Sequence, residues 1–102
     1  MNRHSVDWAG PMPAITTPFR KDLSIDEESF TANIDRLFAA GSTGMVAAGC
    51  TGEFWALSLA ERARLAKLTA DACRGRGPAI VGTGAIRQDE VIDQIHAIKE
   101  AG

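Results

Sequence analysis

Three short apolar runs recur along the chain at intervals of roughly thirty to thirty-five residues, and a helical pattern fills each gap. They are Ala14-Ile15-Thr16-Thr17, Gly44-Met45-Val46-Ala47-Ala48 and Ala79-Ile80-Val81-Gly82. Each is apolar on both faces, as expected of a parallel strand buried between two layers. Strand and helix alternating at this period predict a β-α-β-α-β-α order with a parallel sheet and right-handed crossovers. No antiparallel hairpin is expected within residues 12–85. The repeat is structural, because no residue-by-residue self-similarity accompanies it.

The intervening helices are well punctuated. Asp26 can cap the free N–H groups of a first helix, with Ile25 and Phe30 as a hydrophobic staple around it. Phe30, Ile34, Leu37 and Phe38 then form one apolar stripe, and Gly41 offers a left-handed stop. A second helix opens on the capping box Ser58-Leu59-Ala60-Glu61, continues its stripe through Leu65, Leu68 and Ala72, and ends at Gly75. A third carries Val91, Ile95 and Ile98 on one face and finishes at Gly102. Residues 1–11 are a short lead-in, and residues 12–102 form the first part of an incomplete α/β domain.

At 102 residues the chain is one domain at most, or a piece of one. A net charge of −2, with acids and bases interspersed, gives no electrostatic footprint for nucleic acid or an anionic membrane. No apolar run is long enough to span a bilayer, and Met1-Asn2-Arg3-His4 leads into no signal core. Cys50 and Cys73 fit neither a disulfide framework nor a metal or redox motif, so free thiols in a reducing compartment are expected. These features read as a cytoplasmic protein with no metal site and no cofactor.

In parallel α/β architectures ligands bind at the carboxyl ends of the strands. Those ends here are Thr16-Thr17-Pro18, Gly49-Cys50-Thr51-Gly52-Glu53 and Gly82-Thr83-Gly84-Ala85. Thr17, Thr51 and Thr83 deliver hydroxyls, and Gly52 and its fellow glycines let a ligand approach the backbone. Such a rim, without a strong acid or base, suits a small carboxylate or phosphate. It is equally ordinary chemistry for βα loops. Gly82-Thr83-Gly84-Ala85-Ile86-Arg87 begins like a dinucleotide fingerprint but has Arg87 where its third glycine belongs, and no Walker A loop is present.

The order Thr17-Pro18-Phe19, Ile25-Asp26, Ala40-Gly41, Gly49-Cys50-Thr51-Gly52-Glu53, Leu57-Ser58 with Glu61-Arg62, and Gly82-Thr83-Gly84-Ala85 resembles the dihydrodipicolinate synthase and N-acetylneuraminate lyase family. The match runs from about residue 12 to the last residue, and the two glycine motifs together are its most specific part. The resemblance implies an eight-fold β/α (TIM) barrel, usually in tetramers built from tight dimers. It implies class I aldolase chemistry, in which a lysine forms a Schiff base with pyruvate or another 2-keto acid. For Thr51 it implies a grip on the substrate carboxylate, shared with neighbouring N–H groups such as that of Gly52.

The same resemblance places the imine-forming lysine and the catalytic tyrosines on later strands. This chain has no tyrosine, and Lys21, Lys67 and Lys99 fall in a loop and on helices, away from the expected rim. The chain ends where a fourth strand would begin and is expected to be inactive alone. Cys50 stands where the family usually has Thr or Ser in a proton relay, and a thiol is a weak donor. Glu53 is expected to bond loop N–H groups, His4 and His96 to lie on the surface, and Trp8 and Trp55 to pack. Lysine-inhibited members carry polar residues where this chain has Phe54, Trp55, Leu59 and Ile86, which favours a catabolic lyase or dehydratase over lysine biosynthesis. Two other classes compete: a small module binding a phosphate-bearing ligand on the glycine-rich rim, and an interaction protein pairing through its open sheet edges.

Overall fold

The computed structural model describes residues 4–102, so the first three residues of the lead-in lie outside the described residues. The order is α1 (Glu27–Ala39), β1 (Met45–Ala47), a single 3-10 turn (Phe54–Ala56), α2 (Leu59–Cys73), β2 (Ala79–Val81) and α3 (Gln88–Ala101). β1 and β2 are parallel, with Met45 opposite Ala79, Val46 opposite Ile80 and Ala47 opposite Val81. The core gathers Ile15, Phe30, Ile34, Met45, Ala47 and Leu65 where α1 and α2 meet the strands.

The predicted first strand is shorter than expected. A single parallel bridge joins Ala14 to Val46. It is made by Ile15 N–H donating to the Val46 carbonyl and Val46 N–H donating to the Pro13 carbonyl, both at 2.9 Å. Proline has no N–H, so Pro13 cannot make the preceding rung. Ala48 turns left-handed at φ 51 and ends the ladder on the other side. Nor is the first segment buried on both faces: Ile15 and Thr17 are buried, whereas Ala14 and Thr16 are exposed.

Contrary to the expectation of no antiparallel hairpin within residues 12–85, the chain makes one short antiparallel contact there. Phe19 and Ile25 form an isolated antiparallel bridge. The chain doubles back between them through an Asx-type turn, in which Asp22 accepts from Ser24 N–H at 3.1 Å and Ser24 O–H at 2.6 Å. It brings Ile25 into the core at the mouth of α1.

The helix ends follow the sequence closely. Asp26 accepts from Ser29 N–H at 3.0 Å. That bond and the Ser29 hydroxyl hold the Asp26 carboxyl below the usual carboxylate range. Ser58 accepts from Glu61 N–H at 3.1 Å, and Glu61 accepts from Ser58 N–H at 3.2 Å, completing the box. Arg64 on α2 grips Glu27 at the start of α1 with two 2.7 Å bonds.

Two helix faces are rotated from expectation. On α2 the buried residues are Arg62, Leu65, Ala66, Thr69 and Cys73, with Leu68 and Ala72 at the margin. Thr69 is tolerated because its hydroxyl donates to the Leu65 carbonyl at 2.7 Å. On α3, Val91, Gln94, Ile98 and Ala101 are half-buried, and Ile95 is 49% exposed. α3 packs along α2, and that contact selects the 91–94–98–101 face.

The capping box yields a direct test in the complete protein that carries this segment. Ser58→Ala should lower stability by about 1 kcal/mol, and Ser58→Asp should restore most of it, in equilibrium denaturant melts. Equal stability of Ser58→Ala and the parent would contradict this account of how α2 begins.

Candidate functional site

Three close approaches assemble the rim. Thr17, buried at the end of the first segment, donates its O–H to the Gly52 carbonyl at 2.7 Å. A Cβ at Gly52 would stand 3.0 Å from the Ala48 nitrogen and 3.2 Å from the Ile15 carbonyl oxygen. A side chain there would need Ala48 or Ile15 to give by a few tenths of an ångström. A Cβ at Gly82 would overlap the Ala48 carbonyl oxygen, and Gly82 N–H donates to the Ala47 carbonyl at 2.9 Å. The ends of β1 and β2 therefore close on Ala48, and Thr17 ties the first segment to them through Gly52.

The loop after β1 is held in an unusual shape. Ala48 and Glu53, neither a glycine, lie in the left-handed region at φ 51 and φ 56. Each such conformation costs roughly 1–2 kcal/mol, and they cluster where a loop is shaped for a ligand. Glu53 N–H donates to the Cys50 carbonyl at 3.0 Å, and Phe54 N–H to the Gly49 carbonyl at 3.3 Å. The N–H groups of Cys50, Thr51 and Gly52 donate to no acceptor among the described residues. Thr51 and Cys50 are exposed, and Thr83 is half-buried beside Gly82. The hydroxyls of Thr51 and Thr83 likewise bond to nothing among the described residues.

The remaining expectations resolve individually. The hydroxyl proton of Thr17 is committed to the Gly52 carbonyl, so this residue shapes the loop. Glu53 departs from its expected role: its carboxylate bonds to no N–H among the described residues, and its backbone makes the turn instead. Both cysteines are free thiols, and burial pushes the Cys73 thiol up. His4 and His96 are exposed. The tryptophans are exposed too, at 53% for Trp8 and 66% for Trp55, so neither is a core residue here. Trp55 sets its ring edgewise against Phe54, centroids 5.3 Å apart. Lys67 and Lys99 lie on exposed helix faces, whereas Lys21 occupies the exposed turn just after the first strand end. No metal-ligating cluster occurs among the described residues, and no helix is long and apolar enough to cross a membrane.

Arg62 is the residue that sequence reasoning missed. It is 2% exposed. Its Nη2 donates to the Gly84 carbonyl at 2.8 Å and to the Phe54 carbonyl at 3.3 Å. Its guanidinium carbon stands 4.8 Å from the Phe54 ring centroid. Desolvation pushes the guanidinium below its usual range. The signal was the spacing 62–65–69–73, one inward face that opens on a cation. Arg62 also lines a cleft of about 240 Å³ beside the rim, with Phe54, Trp55, Ile86, Glu90 and Gln94. Polar Arg62, Glu90 and Gln94 therefore stand in the same cleft as the apolar Phe54, Trp55 and Ile86.

Parallel βα units that deliver glycines, hydroxyls and uncommitted N–H groups to one rim define an α/β protein with its site at the carboxyl ends of the strands. Residues 7–102 match the dihydrodipicolinate synthetase family, and the chain belongs to it. It is 42% identical over 93 residues to the 4-hydroxy-tetrahydrodipicolinate synthase of Hyphomonas neptunium, covering 91% of this chain and 31% of that protein. It superposes on dihydrodipicolinate synthase DapA-2 of Bacillus anthracis with a TM-score of 0.87 and 30% identity, covering 95% of this chain and 33% of that one. It superposes on YagE, a prophage protein of this family from E. coli K12 solved in complex with pyruvate, at a TM-score of 0.84 and 33% identity, covering 93% of this chain and 32% of that one. The fold is therefore that of the first three βα units of an eight-fold β/α barrel, and the chain spans about a third of the length of these relatives. The phosphate-binding and interaction-module alternatives are not favoured by these matches.

The close packing at Gly82 predicts a contrast with Gly84, where a Cβ would meet only the Phe54 ring at 4.0 Å. Gly82→Ala should destabilise the complete protein by about 1–3 kcal/mol, as overpacking does, while Gly84→Ala is tolerated. Thermal melts of the two variants decide it, and equal melting temperatures would refute the assembly of the rim on Ala48.

Proposed function

We propose that the complete protein is a Schiff-base-forming lyase of the dihydrodipicolinate synthase type, acting on pyruvate or a related 2-keto acid. This segment supplies the loop that holds the substrate carboxylate. The observation that carries the reading is the run of uncommitted donors on a pinned loop, the N–H groups of Cys50, Thr51 and Gly52 beside the Thr51 hydroxyl. A carboxylate accepts such charge-assisted bonds well, and donors fixed by the fold need no reorganisation during reaction. The pyruvate bound to the related prophage protein supports the choice of ligand.

In this chemistry a lysine amine adds to the keto carbon and the carbonyl oxygen leaves as water. The protonated imine then draws electrons from the adjacent carbon, where a bond to carbon or oxygen forms or breaks. The lysine belongs to a later strand of the barrel. Cys50 stands at the proton-relay position, where its thiol would be a weaker donor than a hydroxyl. The reaction needs no metal or organic cofactor. We place it in the cytoplasm, in a homo-oligomer, a dimer or a tetramer.

In the complete protein, Thr51→Val removes one hydrogen bond to a charged group, worth roughly 1.5–3 kcal/mol. kcat/KM for pyruvate should fall about ten- to hundred-fold with the fold intact. Cys50→Ser should be tolerated, with higher activity if proton transfer limits the rate. Unchanged pyruvate kinetics in Thr51→Val would remove the carboxylate assignment and leave the motif as loop structure.

Borohydride trapping offers a separate check on the lysine. The complete protein should yield a reduced pyruvate adduct outside residues 1–102, and the 102-residue chain alone should yield none. An adduct on Lys21, Lys67 or Lys99 would place the imine here and overturn that division of labour.

A further inference from the structure

We propose that Arg62 is a positioning residue for the carboxylate-binding loop, its one guanidinium tying the loop after β1 to the loop after β2. The proposal rests on the reading of Thr51 given above and adds what holds Thr51 and its neighbouring N–H groups in place. The two carbonyls that Arg62 bonds belong to different rim loops, Phe54 on one and Gly84 on the other. The Phe54 ring lies under the same guanidinium, so both backbone and side chain of the first loop are engaged. Arg62 itself is fixed, because it sits on the first turn of α2 immediately after the closed Ser58–Glu61 capping box.

A purely space-filling role does not account for this choice of residue. Burying a cation is costly, and an apolar side chain of similar volume usually serves stability as well or better. Nε and Nη1 of Arg62 are buried without a partner among the described residues, which adds to that cost. What the guanidinium offers in return is geometry. One Nη2 amino group donates to both carbonyls while the planar guanidinium stacks on the ring, and a lysine ammonium has no flat face to stack. The β1 loop contains strained Glu53 and three uncommitted N–H groups. Without a tether at Phe54 it would be free to relax toward ordinary turn geometry and lose the alignment of those donors.

The test uses Arg62→Lys and Arg62→Met in the complete protein, with hydrogen exchange, thermal melting and pyruvate kinetics on the same samples. Amide exchange in residues 50–57 and 82–87 should quicken about tenfold in both variants, while exchange in α1 stays at the parent rate. KM for pyruvate should rise about tenfold with kcat within about threefold, the pattern of lost ground-state positioning. Folded variants whose rim exchange and KM equal the parent's would overturn the proposal, even if their melting temperature falls, because stability alone would then explain Arg62. Should neither variant fold, Phe54→Leu keeps both carbonyls and removes only the stacked ring; it should quicken rim exchange in the same direction, and parent-like exchange would overturn the proposal. The two readings separate cleanly. Quickened rim exchange with unchanged KM, alongside a kinetically silent Thr51→Val, would retain the tether and reject the carboxylate site.

Discussion

Parallel alignment of the strands is the constraint on which the rest of this structure depends. Val46 pairs with Ala14 on one side and with Ile80 on the other, both in the parallel sense. A parallel strand must be followed by a crossover before its neighbour begins, and here α2 makes that crossover between β1 and β2. Every strand therefore finishes on the same side, and Thr17, the Gly49–Glu53 loop and Gly82 become neighbours although long stretches of chain separate them. The apolar runs are too short to span more than a few rungs. Their pairing is held by the helices laid over them, which is why the core residues Met45, Ala47, Leu65 and Ile34 have almost no exposure.

The rim is also where the chain departs most from low-energy backbone geometry. Ala48 and Glu53 are left-handed, Gly82 sits where a Cβ would overlap the Ala48 carbonyl, Gly52 is tightly packed, and Arg62 carries a buried charge. The helix caps and the Glu27–Arg64 pair, by contrast, obey ordinary rules at exposed positions and contribute modestly. Two of the three left-handed non-glycine residues among the described residues fall on this one loop, as expected when a loop is shaped for a ligand. Membership of the dihydrodipicolinate synthetase family and the proposed grip on a 2-keto acid carboxylate agree with that distribution.

Much of the scaffold was legible in the residues because its signals are local. Asp26, Ser58 with Glu61, and Gly41 mark helix ends by chemistry that acts within one turn. The second and third strands were found within a residue at each end. The first was overestimated because the left-handed turn at Ala48 ends the ladder before Thr16 and Thr17 can pair, which apolar content alone does not reveal. The faces of α2 and α3 were misjudged for a different reason: Arg62 and Thr69 are buried and Gln94 half-buried, and hydrophobic periodicity has no means of marking a polar residue as core. At the rim, Thr51, Gly52 and Thr83 could be named from their place after a strand. The bond from Thr17 to the Gly52 carbonyl and the Arg62 tether could not, since each joins segments that only the folded sheet brings together.

A crystal structure of the complete protein with pyruvate trapped by borohydride reduction would test the central claim most directly, that the loop after β1 is a preformed carboxylate holder. The account predicts carboxylate oxygens at about 2.7–3.2 Å from the Thr51 hydroxyl and from N–H groups of the Cys50–Gly52 run, with Ala48 and Glu53 still left-handed. A trapped adduct whose carboxylate is held by other residues, with those N–H groups turned away from it, would contradict the account.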